Sequence, residues 1–137
     1  MLSSYNTTAQ VLDVDDLLVF TTNRIVTGCT VTHADNSSSF TLNKPGYYYV
    51  NFNGDAFSTT GTGAVTVELQ SNGTTIPGAE ASSYSAATTN IVNLVFSTIV
   101  KVLPSCNCVN NSVTLTFKNT GIGATFENAN VTITKLC

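Results

Sequence analysis

Large side chains fall on both faces of one predicted strand, residues 46–57, whose first eight residues are GYYYVNFN. A Pro-Gly pair precedes the first tyrosine, and successive side chains of a strand point to opposite faces. Tyr48, Val50 and Phe52 therefore share one face and are predicted to lie in the core. The opposite face carries two tyrosines and two amides: Tyr47, Tyr49, Asn51 and Asn53. Such a strand needs cover on both sides. One side suits the core of the domain, and the other suits a second copy of the chain.

Further runs rich in branched and aromatic residues recur at intervals of about ten residues, with polar turn sequences between them. Residues 91–103 predict a second dominant strand, in which Leu94 and Phe96 face the core and more aliphatic residues lie opposite. Asn72 and Gly73 predict a tight hairpin because both residue types tolerate positive φ. Other strands are predicted over residues 25–32, 39–42, 64–70, 74–79, 113–117 and 126–134. The spacing predicts an all-β fold, an antiparallel sandwich of two sheets.

The domain organisation is predicted to be simple. Residues 1–12 are expected to form an extended polar arm, and residues 13–137 a single domain that is long enough to bury a core. The arm has no set of apolar residues with which to join that core, so we expect it to attach the protein to a partner. No segment shows a helical period.

Charge is scarce: charged residues make up 9% of the chain, against about 25% in ordinary soluble domains. The 23 Thr, 13 Ser and 15 Asn must supply the polar surface instead. Five scattered cations and a net charge of −3 provide no basic patch, which excludes nucleic-acid binding through phosphate contacts. No apolar run approaches the roughly 18 residues of a membrane span, so no membrane association is expected. The first residues lack the basic start and apolar stretch of a signal peptide.

The four cysteines leave three states open, namely free thiols, disulfides formed after release from the cell, and a metal site. They are Cys29, Cys106, Cys108 and Cys137. Only one residue separates Cys106 from Cys108, so a bond between these two would be strained. A zinc site usually has two close pairs of ligands, and this sequence has one, so no metal is expected.

Residue types that carry out catalysis are few. His33 is the sole histidine, and its turn-like surroundings predict a solvated loop residue. Asp13, Asp15 and Asp16 offer the oxygen ligands that calcium prefers, but a solvated turn at a strand entry is the simpler interpretation. Three other carboxylates are interpreted as surface residues: Glu68, Glu80 and Glu127. We therefore expect no enzyme activity and no cofactor.

Three stretches carry patterns that are typical of one group of proteins. A Phe-x-Leu run at 40–42 leads into a Gly-x-Tyr strand at 46–52, and residues 69–78 read as an Asn-Gly…Pro-Gly hairpin. Residues 94–102 form an apolar strand. Together they resemble the jelly roll shared by the tumour-necrosis-factor family and the complement-type globular heads, including its bacterial and phage members. The Gly-Asp that usually opens the penultimate strand is missing, and residues 104–111 replace it.

The resemblance implies a jelly-roll sandwich that assembles as a homotrimer. In such trimers the outward residues of the central strand line the three-fold axis. By this resemblance, the trimer interface is expected at Tyr47, Tyr49, Asn51 and Asn53. The aspartate ligands of calcium-binding heads are not matched.

The resemblance, the small size and the hydroxyl-rich surface favour a structural virion protein of a bacteriophage, either a trimeric capsid decoration or a head-fibre protein. Its expected location is the virion, assembled in the host cytoplasm. Its expected partners are copies of itself and the major capsid protein or another virion protein. Two alternatives stay open. One is a tail-fibre head that binds a host receptor or surface glycan, and the other is a bacterial spore or surface jelly-roll protein.

Overall fold

The computed structural model describes residues 1–105 and 111–136, which form eleven strands and no helix. Within these residues, therefore, no helix is long and apolar enough to cross a membrane. The strands are β1 (Leu2–Asn6), β2 (Gln10–Leu12), β3 (Thr22–Val26), β4 (Val31–Thr32), β5 (Phe40–Leu42), β6 (Gly46–Ser58), β7 (Gly63–Ser71), β8 (Thr74–Ser85), β9 (Val92–Val102), β10 (Val113–Asn119) and β11 (Ala124–Lys135).

The strands form two antiparallel sheets that pack face to face. Sheet A has six strands in the order β3-β1-β11-β6-β9, with β2 also paired to β11. Sheet B has five strands in the order β4-β5-β10-β7-β8. The predicted all-β sandwich of two antiparallel sheets is thereby confirmed.

The turn predicted at Asn72 and Gly73 joins β7 to β8. The φ angles of Asn72 and Gly73 are 51° and 80°, the left-handed values that a tight hairpin turn requires. The following strand continues to Ser85, beyond its predicted end at residue 79. Pro77 lies within it and has no N–H to donate. This is tolerated because β8 is an edge strand of sheet B.

The core lies between the sheets and is rich in aromatic rings. The Phe52 ring stacks on Phe96 and Phe117, with centroid distances of 5.4 and 5.3 Å. Burying one such ring contributes about 1.5–3 kcal/mol. Five residues predicted to face the core are between 0% and 8% exposed: Tyr48, Val50, Phe52, Leu94 and Phe96.

The N-terminal segment differs from its prediction. β1 is hydrogen-bonded on both sides, to β11 and to β3, and Leu2 is fully buried. The prediction of a separate arm over residues 1–12 is therefore wrong, because β1 and β2 belong to sheet A. Backbone pairing holds this segment in place, helped by short polar side chains: Ser4 Oγ donates to the Thr22 carbonyl at 3.0 Å.

Candidate functional site

One face of sheet A is open to solvent and carries large side chains. Tyr48 is fully buried, whereas its neighbours Tyr47 and Tyr49 are 46% and 38% exposed. We call the outward residues of 47–55 in β6 and of 93–101 in β9 the β6–β9 face. The four residues predicted at a trimer interface all lie on it: Tyr47, Tyr49, Asn51 and Asn53.

The neighbouring strand extends this exposed surface with aliphatic residues. Ile99 is 58% exposed and pairs in register with Tyr49. Val95 is 51% exposed and pairs in register with Asn53. Large apolar side chains on adjacent strands form a patch of a kind that monomeric proteins usually keep small, so this part of the face is suited to contact with another protein.

Tyr48 fixes the direction in which the adjacent rings point. Its hydroxyl donates to the Lys44 carbonyl at 2.7 Å, and its ring lies in the core. Burial raises the pKa of Tyr48, although the Lys44 carbonyl acts in the opposite direction. Because alternate side chains of a strand point to opposite faces, Tyr47 and Tyr49 must then face outward. The Lys101 ammonium lies 5.7 Å from the centroid of the Tyr47 ring, within range of a cation–π interaction.

The far end of the same face is polar. Asn93 Nδ2 lies 3.0 Å from Asn53 Oδ1, 2.9 Å from Asp55 Oδ1 and 3.3 Å from the Gly54 carbonyl oxygen. One amide group thus ties the start of β9 to the end of β6. Glu127 of β11 stands opposite Asp55 in the antiparallel register. The face is therefore apolar toward residue 47 and acidic toward residue 55.

His33 is not the solvated loop residue that its sequence predicts. Its ring stacks on Phe40 with a centroid distance of 4.2 Å and an interplanar angle of 14°. Nε2 lies 2.8 Å from the Ser37 carbonyl oxygen, and Nδ1 lies 2.8 Å from Asn23 Oδ1. Burial lowers the pKa of His33 and outweighs the Ser37 carbonyl and the Asp35 carboxylate, which raise it. These contacts link the β3 edge of sheet A to the loop after β4 in sheet B.

The acidic turn at residues 13–16 is closed by its own contacts. Asp16 Oδ2 accepts a hydrogen bond from the Asp13 N–H at 2.9 Å. Asp15 has a φ of 75° and pairs with the Lys118 ammonium at 3.3 Å. Across the described ranges, 1–105 and 111–136, no three His, Cys, Asp or Glu side chains are grouped so as to hold a metal ion.

The structure describes one of the four cysteines. Cys29 is exposed and has a free thiol. Cys106, Cys108 and Cys137 lie outside the described residues. For these three cysteines the free-thiol, disulfide and metal-site alternatives stay predictions.

Asn119 is a structural residue that the sequence did not single out among its 15 asparagines. It is fully buried, and its side chain serves several backbone groups. Nδ2 lies 3.2, 3.3 and 3.0 Å from the carbonyl oxygens of Leu12, Asp13 and Ile122. Oδ1 accepts from the Gly121 N–H at 3.1 Å. One side chain thus joins the end of β2 to the connection between β10 and β11.

Comparison with known proteins shows similarity in structure alone. No protein-family profile matches the sequence, and no curated protein matches it. The globular domain of zebrafish complement 1qA protein is 11% identical, with a TM-score of 0.66 over 99% of this chain and 96% of that one. Murine APRIL, in its crystal structure at pH 5.0, is 10% identical, with a TM-score of 0.65 over 98% of each chain. The chain thus has the jelly-roll fold of tumour-necrosis-factor-like and complement-type heads, which confirms the predicted resemblance.

Proposed function

We propose that the protein is a non-enzymatic structural protein that works as a homotrimer, with the β6–β9 face turned toward the three-fold axis. The observation that carries this proposal is the apolar part of that face, where four large side chains are between 38% and 58% exposed: Tyr47, Tyr49, Val95 and Ile99. Covering such side chains stabilises an assembly by about 25 cal/mol for each Å² of apolar area removed from water. The jelly-roll resemblance implies such a trimer and supports assigning the two tyrosines to the same interface.

The oligomeric state tests this part directly. Sedimentation equilibrium at micromolar concentration should give about three times the 14.4 kDa of one chain. Ile99→Asn should shift the distribution toward monomer, because it places an amide in a desolvated contact. The matched control Val14→Asn changes a valine that is 53% exposed in the turn after β2, outside the strands of sheet A, and should leave the mass unchanged. A wild-type protein that stays a monomer throughout would contradict the proposal.

We further propose that this trimer is a bacteriophage virion protein, a capsid decoration or head fibre bound to the major capsid protein or another virion protein. A surface built from hydroxyls and amides with few charges supports this role. Because β1 is part of sheet A, we propose that the attachment surface is formed by other residues of the N-terminal region. Val11 and Val14 are 68% and 53% exposed beside the acidic turn, which suits them to such a contact.

Cryo-electron microscopy of particles carrying the protein tests the proposed location. Density for a trimer on the head should contact the capsid through residues 9–16. Replacing Val11 and Val14 by serine should lower the occupancy on particles without changing the mass of the free trimer. Full occupancy with this double variant would reject the attachment surface, and absence of the wild-type protein from particles would reject the virion role.

One observation favours a second role, the glycan-binding head of a tail fibre. Tyr84 is 64% exposed on β8, at the outer face of sheet B. Beside it, the Ser82 and Thr66 hydroxyls lie 2.7 Å apart. An exposed aromatic ring can stack on the apolar face of a sugar, and neighbouring protein hydroxyls can form hydrogen bonds with the hydroxyl groups of that sugar. Tyr84→Ala should then lower adsorption to host cells and Tyr84→Phe should preserve it, whereas equal adsorption by both variants would exclude this role.

A further inference from the structure

The side chains of the β6–β9 face differ in polarity and charge between its two ends. Tyr47 and Lys101 stand opposite each other at one end, and Asp55 stands at the other. From position 47 to position 55 the strand covers roughly 27 Å at about 3.4 Å per residue. That distance exceeds the Debye length of roughly 8–10 Å at physiological salt, so Lys101 does little to offset the charge at the far end of its own subunit.

The acidic end concentrates charge that the subunit itself leaves uncompensated. Asp55 and Glu127 are direct cross-strand neighbours on β6 and β11, an arrangement in which like charges repel. The ion pair found within residues 1–105 and 111–136 joins Lys118 to Asp15, so neither of the two carboxylates has a cation within 4.0 Å there. Asn93 holds the Asp55 carboxylate on the face through its 2.9 Å hydrogen bond.

Three-fold symmetry brings equivalent ends together. In a trimer built on this face, the tyrosine ends of three subunits meet at one end of the axis, and three Asp55–Glu127 pairs meet at the other. The tyrosine end gains from close contact between its apolar side chains, and its Lys101 ammonium lies 5.7 Å from the centroid of the Tyr47 ring. The acidic end is repelled and must desolvate carboxylates in order to close. Resting on the homotrimer proposed above, we propose that the subunits close at the Tyr47–Tyr49 end and stay apart at the Asp55–Glu127 end, so that ionic strength sets how tightly the trimer holds.

Association measured as a function of salt tests this inference. The association constant from sedimentation equilibrium should rise between about 0.02 M and about 0.5 M sodium chloride, because salt screens the three acidic ends from each other. At the lower salt concentration, Glu127→Gln should associate roughly ten-fold more tightly than the wild type. At the higher concentration the two proteins should differ by less than about two-fold.

The chain offers a matched control on the other sheet. Glu80 faces Glu68 across β8 and β7 in the same antiparallel arrangement, but on sheet B. Glu80→Gln therefore removes the same charge and relieves the same repulsion within a subunit, away from the β6–β9 face. It should leave the association constant within about two-fold of the wild type at both salt concentrations.

The possible failures separate this inference from the trimer itself. If the protein is a trimer and its association constant changes equally in Glu127→Gln and Glu80→Gln, or in neither variant, the uneven closure is wrong and the homotrimer is still supported. A protein that stays monomeric in every condition would overturn the homotrimer and this inference with it. A dimer that weakens as salt is added would overturn both, since it would indicate a two-fold contact with Lys101 of one copy against Asp55 of the other.

Discussion

Replacing Asn119 by alanine tests how much one buried amide contributes to the fold. Nδ2 has two protons for three carbonyl oxygens, so it donates about two full hydrogen bonds, and Oδ1 accepts one more from the Gly121 N–H. Alanine removes all of them, so the Gly121 N–H and the Leu12 and Ile122 carbonyls lose this partner, while the Asp13 carbonyl keeps its bond from the Asp16 N–H. At about 1 kcal/mol for each of three bonds, the free energy of unfolding should fall by about 3 kcal/mol. Domains of this size have about 5–15 kcal/mol in total, so the loss is a substantial share.

Urea unfolding at one fixed protein concentration measures this loss. With a slope of about 1–3 kcal/mol per M urea, the midpoint should fall by about 1–3 M. Asn119→Asp should destabilise more than alanine, because it turns a carboxylate oxygen toward the carbonyls. As a control, Asn43 also donates through one Nδ2 to two acceptors, but it is only half-buried and both bonds are open to solvent, so Asn43→Ala should cost less than about 1 kcal/mol. Equal losses in Asn119→Ala and Asn43→Ala would refute the reasoning from burial.

Three further outcomes are expected. Tyr49→Asp should dissociate the trimer and keep the circular dichroism spectrum of a β protein, whereas Tyr48→Asp should abolish folding. If both variants were folded monomers, the assignment of Tyr48 to the core and Tyr49 to the outer face would be contradicted. Because burial lowers the pKa of His33, the unfolded chain binds a proton more readily than the folded one, so stability should decline as the pH falls below about 6.5. His33→Gln should flatten that decline in urea midpoints taken between pH 5.5 and 7.5, and an unchanged slope would assign the decline to other groups. Deleting residues 2–10 should unfold the protein, since β1 is paired on both sides, and a cooperative thermal transition in the truncated chain would show that β1 is dispensable.

The sequence predicted the strands whose side chains alternate clearly. Residues 46–58 and 92–102 form β6 and β9, close to the predicted limits, because their inward positions are large and apolar. The sequence does not predict β1, because its inward positions are Leu2, Ser4 and Asn6, of which only the first is apolar. Its place in sheet A depends on backbone hydrogen bonds to distant strands, and side-chain patterns do not reveal these.

Part of the candidate site could be predicted from the sequence in the same way, and part could not. Alternation along β6 was enough to place the tyrosines outward, but it could not place Glu127 opposite Asp55. That pairing depends on an irregularity in β11, where Asn128 has a φ of 50° and the register shifts between Glu127 and Asn130. His33 differs from its prediction for a related reason: its sequence neighbours resemble a turn, while the Phe40 ring that covers it comes from the next strand.

The position of β11 also governs when the protein can fold. This strand is the last along the chain among those described, yet it lies inside sheet A, between β1 and β6. Until the ribosome has made residues 124–135, β1 and β6 each lack one neighbouring strand, and Leu2 cannot pair with Ile133. Pairings between such distant residues form slowly, and strands with open edges associate with other chains in the meantime. We therefore expect sheet A to assemble in one step only once β11 has been made, so that the incomplete sheet is exposed to misassembly until then.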